Sequence, residues 1–171
     1  MRPRFAALSA LTVALALALA GCAVAGRITP APLMAVRAQL VEVAHFDHQW
    51  TGVAVAHDGR IFVNFPRWKD FPGFSVAQLR NDSNGDLVPV PYPDADWQHW
   101  QPGDDPKTHF VCVQAVYVDP QDNLWVVDAA APNMGDIVPG GPKLVKIDLR
   151  TNRVAATYFY DQPAITQKSY L

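Results

Sequence analysis

The chain has 171 residues, with 14 Lys and Arg against 16 Asp and Glu, for a formal net charge of −2. Near-neutral charge without a basic run leaves nucleic acid no electrostatic footprint to read, and the two cysteines, Cys22 and Cys112, are too few for a disulfide framework. Asp outnumbers Glu fifteen to one, beside 15 Pro and 10 Gly. Asp favours turns and caps where Glu favours helix interiors, so the composition reads as all-β, with short strands joined by turns.

Arg2 and Arg4 open the chain, and Phe5 to Ala20 follow without a charge, ending at Leu19-Ala20-Gly21-Cys22. A positive start, a short apolar run and small residues at its end mark a secretory signal, too short to span a membrane. The Leu-Ala-Gly-Cys ending resembles a bacterial lipobox. It implies an acylated Cys22, a lipid anchor in the membrane and no spanning helix. Cleavage after Ala23-Val24-Ala25 is the alternative. The first reading makes 1–22 a lipoprotein-type signal and 23–39 a tether. The protein is then exported to the outer membrane, on its periplasmic face, or to the cell surface, and otherwise secreted.

From residue 40 the pattern alternates. Leu40 to Phe46 reads as a strand. Gly52 to Ala56 and Arg60 to Phe65 form a hairpin about Asp58-Gly59. Ser75 to Arg80 is a third strand. Leu87 to Tyr92 is a fourth, an edge strand, because Pro89 and Pro91 cannot donate ladder bonds. After a loop rich in Asp, Trp and Pro (94–108) the order restarts: strands at 111–118, 124–128, 143–148 and 153–160. Ile61-Phe62-Val63 and Leu124-Trp125-Val126 occupy equivalent points 63 residues apart (124 − 61), each after a Val-x-Val stretch.

Four antiparallel strands per repeat are the mark of β-propeller blades, here about 40–92 and 111–160, within a partial propeller over 40–171. Residues after 160 read as the lead-in to a third. Two blades cannot close a ring, so the sequence reads as the front of a longer protein or as one that must oligomerise.

"LVEVAHFD" (40–47), "IFVNFPRW" (61–68), "LVPVPYPDADW" (87–97), "VQAVYVDPQDNLWVVD" (113–128) and "PKLVKIDLRTNRV" (142–154) resemble the yellow/major royal jelly protein family in its bacterial branch. The resemblance implies a secreted six-bladed propeller about twice this long, of which the chain is an N-terminal fragment. Paired cysteines of insect members have no counterpart beyond Cys112. Members include dopachrome-converting enzymes, small-amine binders and nutritive proteins, so function has to be argued from the site.

Propeller ligands sit over the channel, on the loops before first strands and after second ones. Here these carry His48, Gln49, Trp50 and Thr51, then Arg67, Trp68 and Lys69, then Trp97, His99, Trp100 and His109, then Asp128 and Asn133. Of these, Trp50, Arg67, Trp68, His109 and Asp128 are the ligand-binding candidates, suited to a small aromatic or anionic molecule. Each has a plainer role open to it: Trp50 and Trp68 as packing, Arg67 as half of an ion pair. His45/His48 and His99/His109 lack the spacing and partners of a metal set, and no cofactor or catalytic residue is identified. The expected function is a small-ligand-binding propeller. The alternative is an enzyme, either a dopachrome-type isomerase or a metal-dependent lactonase of the gluconolactonase kind.

Overall fold

In a computed structural model, the structure describes residues 39–161, 164–166 and 169. The signal, the lipobox Cys22 and all of the tether but its last residue lie outside the described residues. Eight strands form two meanders. The first sheet has β1 (Gly52–Val55), β2 (Ile61–Asn64), β3 (Val76–Asn81) and β4 (Leu87–Pro91) in that order. The second has β5 (Val113–Val118), β6 (Asn123–Asp128), β7 (Lys143–Asp148) and β8 (Arg153–Phe159). All neighbours are antiparallel, and both sheets belong to one compact unit, Val41–Leu171. The all-β expectation of two four-stranded antiparallel blades holds.

The 63-residue repeat is a repeat of register. Val55 faces Ile61 across β1 and β2, and Val118 faces Leu124 across β5 and β6. Side chains alternate along a strand, so equal register places equivalent residues on equivalent faces. Ala54 and Phe62 lie on the face of the first sheet that meets the second, where Phe62 is fully buried in the shared core. Their equivalents Tyr117 and Trp125 lie on the far face of the second sheet, where Tyr117 is 61% exposed. Val126, Val145 and Ile147 come from that sheet's near face and fill the core against Phe62 and Tyr92. Each such side chain, fully buried, contributes roughly 1.5–3 kcal/mol.

The first strands meet: β5 lies against β1 and β2. Asn64 closes this seam, its Nδ2 donating to Val113 O at 3.1 Å and to Thr51 Oγ1 at 2.8 Å. Thr51 Oγ1 in turn donates to Gln114 O at 3.1 Å. Gln114 is the extra residue of a bulge between Val113 and Ala115, which turns its carbonyl toward the neighbouring sheet. The hairpin end is clasped separately. Asp122 accepts from the His57 backbone N–H at 3.0 Å, and Arg60 donates to Leu149 O and Asn152 Oδ1 at 2.8 and 2.9 Å.

One expected strand is absent. Leu40 to Phe46 alternates, yet it joins no ladder. The segment instead lays Ala44 and Phe46 on a second apolar cluster, around Val63, Phe65, Ala77 and Leu79 on the outer face of the first sheet. Val41 and Val43 stay exposed. Alternation reports an apolar face, and here that face is met by side-chain packing alone.

Candidate functional site

The loop β2–β3 and the loop β6–β7 lie at the same end of the two sheets, opposite the His57–Asp122 hairpins. They touch at Arg67, whose carbonyl accepts from Asn133 N–H at 2.8 Å. Asn133 has φ 55, a left-handed conformation that Asn tolerates at a tight turn. The Arg67 side chain reaches the third loop, β4–β5: its Nε donates to Val111 O at 3.0 Å. Its guanidinium lies 4.3 Å from the Phe71 ring centroid and 5.4 Å from that of Trp100. Three loops from two blades therefore converge on one half-buried cation.

That cation has no counter-ion among the described residues, since no carboxylate lies within ion-pair distance. Burial pushes its pKa below the ordinary value for arginine, with Cys112 and Asp128 acting the other way. Asp128 cannot pair with it, because its two oxygens are fully engaged. Oδ2 accepts from Val111 N and Lys143 Nζ, both at 2.7 Å. Oδ1 accepts from Cys112 N and Ala130 N, both at 2.9 Å. Four donors fill a carboxylate's four lone-pair positions. Lys143 is equally enclosed, donating also to Pro106 O and Gly141 O. With both side chains at 0% exposure, this pair fastens loop β4–β5 to loop β6–β7.

Of the residues expected to meet a ligand, the structure thus gathers Arg67 with a partner outside that set, Trp100. Trp68 follows Arg67 in the chain, with its Nε1 buried and without a hydrogen-bond partner; Trp100 Nε1 is in the same state. Asp128 is enclosed as the anchor of the loops. Trp50 packs elsewhere, 6.1 Å from Phe65 in the outer-face cluster. There it lines an apolar groove of about 370 Å³ with Val53 and Val55. His109 is occupied locally, its Nδ1 2.9 Å from Asp105 O and 3.0 Å from Thr108 Oγ1. A cavity of about 300 Å³ lies between the β6–β7 loop and the chain after β8, lined by Ile137, Pro142, Tyr160 and Asp161 among others. Among the described residues no three His, Cys, Asp or Glu gather as metal ligands would.

Phe71 went unread in the sequence because it sits in an aperiodic loop. Lys143 went unread because a lysine opening an alternating strand reads as solvent-facing.

Comparison with known proteins bears on this arrangement. A family model described as major royal jelly protein matches residues 111–171, which hold the whole second blade. Dopaminechrome tautomerase of Drosophila melanogaster is 29% identical over 121 residues, 66% of this chain, so the likeness extends beyond that blade. The second blade is thus similar to the major royal jelly protein family, and the chain as a whole to one of its yellow-type relatives. The chain's match spans 25% of the tautomerase. The second blade, which the family model matches, carries both Asp128 and Lys143, while Arg67 comes from the first.

Proposed function

We infer that this protein, a propeller of the yellow type, binds a small aromatic or anionic molecule at the loop end of its blades. One observation carries the reading: a half-buried arginine without a counter-ion among the described residues, framed by Phe71 and Trp100, where three loops meet. A desolvated cation beside aromatic faces is the chemistry of a ligand anchor. Calorimetry of the purified chain against a panel of aromatic and anionic small molecules, without added metal, is expected to give binding. Replacing Arg67 and Trp68 by Ala is expected to weaken it by about 1–3 kcal/mol.

An isomerase is the second reading, favoured by the likeness to a protein named dopaminechrome tautomerase. Turnover of dopaminechrome by this chain, abolished without loss of fold by Arg67→Ala, would establish it. Metal-dependent lactone hydrolysis with ligand binding unchanged in the Arg67/Trp68 double variant would instead support a lactonase. The proposed location is a membrane surface, reached through a lipid on Cys22, and it rests on Leu19-Ala20-Gly21-Cys22 after the apolar run. Mass spectrometry of the mature N-terminus is expected to find an acylated Cys22. A free N-terminus at Gly26 would overturn the anchor.

A further inference from the structure

Resting on the ligand-binding reading, we propose that Arg67 and Trp100 form a carboxylate subsite and that the ligand is a small aromatic acid. The guanidinium is held in one orientation. Nε is committed to Val111 O at 3.0 Å, and the plane is flanked by Phe71 and Trp100. Nη1 and Nη2 have no acceptor among the described residues, and the fork they form matches the two oxygens of a carboxylate. Asp128 is the carboxylate whose charge acts on Arg67, and it has no acceptor position left. The positive charge is therefore not answered from within the described fold.

Trp100 supplies the independent observation. It is 4% exposed, and its Nε1 is buried without a partner. An indole N–H can only donate, so it carries the whole desolvation cost of a donor lacking an acceptor. The atom belongs to the ring over which the Arg67 guanidinium lies, which brings the orphan donor and the free fork to one locality. The fork calls for an oxygen bearing negative charge, and the indole N–H for any acceptor beside it. A carboxylate serves them together, one oxygen shared or each taking one. The aromatic character comes from the frame: Phe71 and Trp100 flank the cation, and Trp68, with a second orphan indole N–H, follows it in the chain.

Benzoate and its neutral counterpart benzamide separate the charge from the ring. The purified chain is titrated with each by calorimetry, with inorganic phosphate as a third probe, while the tryptophan indole N–H resonances are followed by NMR. Benzoate is expected to bind at least about 10-fold tighter than benzamide or phosphate. Trp100→Phe keeps a ring and removes the N–H, and is expected to weaken benzoate about 3- to 10-fold. Arg67→Met is expected to bring the benzoate-to-benzamide ratio close to one. In the wild-type chain the Trp100 indole resonance is expected to move with benzoate and to stay with benzamide, a readout that needs no variant to fold.

Equal binding of benzoate and benzamide would overturn the carboxylate subsite while leaving the ligand-binding reading in place. Phosphate binding as tightly as benzoate would overturn the aromatic acid. Binding of none of the three probes, with a still indole resonance, would overturn the subsite; binding of other panel members in that case would preserve the broader reading.

Discussion

Two buried side chains decide how the loop end holds together. Lys143 and Asp128 are both sealed from solvent at 2.7 Å, with three backbone N–H groups on the same carboxylate. Removing one partner of such a pair leaves an uncompensated buried charge, so Lys143→Met is expected to cost about 3–5 kcal/mol in a urea melt. An apolar replacement of both, Asp128→Leu with Lys143→Met, is expected not to recover that loss. The reason is local: Val111, Cys112 and Ala130 N–H would then lose their acceptor. Full recovery in the double variant would show the pair to be a plain ion pair with no role in tying the loops. Cys112, beside it, has its thiol pushed up to about 11 by burial, against smaller opposing effects from the Arg67 backbone N–H and Gln114. The folded state thus holds its proton more tightly than the unfolded one, whose thiol has the ordinary value of 9.0. Stability from this source is complete below about pH 9 and is lost as pH rises through about 11. Melting followed from pH 8 to 11 is expected to decline, and less steeply in Cys112→Ala. Tyr92, pushed to about 12 by burial, adds its own loss above about pH 10.

At the scale of strands, the seam between β1 and β5 depends on the absence of a side chain. A Cβ placed on Gly52 would stand 2.5 Å from Asn64 Oδ1, and Asn64 is fully buried by its bonds to Val113 and Thr51. Gly52→Ala is expected to cost about 1–3 kcal/mol by overpacking. In an Asn64→Ala background the added penalty is expected to shrink, a coupling that a double-mutant cycle measures. Additive penalties would mean that the two residues do not meet. Much at this scale was legible beforehand. The Val-x-Val and Ile-Phe-Val echo set the register of both hairpins, because a period of two leaves little freedom once one face is buried. Pro89 and Pro91 marked the outer strand β4 correctly. The 40–46 stretch misled, since alternation shows an apolar face and says nothing of what covers it. The site was legible only in part. Arg67 stood out as a cation between aromatics in a loop, but its frame depends on Phe71 and Trp100 from two aperiodic segments. Lys143 and Asp128 hold the loop that carries Trp100, and Arg67 itself joins that loop to the one that carries Phe71.

Taken whole, the molecule presents two unlike surfaces. The far face of the second sheet exposes Tyr117 at 61% and Tyr158 at 52%, with Trp125 stacked on Tyr158 at 6.0 Å under Lys146. Exposed aromatic side chains gathered on one sheet face favour association. Tyr117→Ser with Tyr158→Ser is expected to raise the soluble yield and reduce binding of a hydrophobic dye, without shifting the melt by more than about 1 kcal/mol. A large loss of stability would show that the face is already packed. The loop end has the opposite character, a cation and buried indole donors held by a rigid buried pair. Whether that end is where a ligand sits is answered by a crystal structure of the chain grown with benzoate. Density for the carboxylate is expected against the Arg67 guanidinium and the Trp100 indole N–H. Density only in the groove of Trp50, Val53 and Val55, with Arg67 unoccupied, would contradict it.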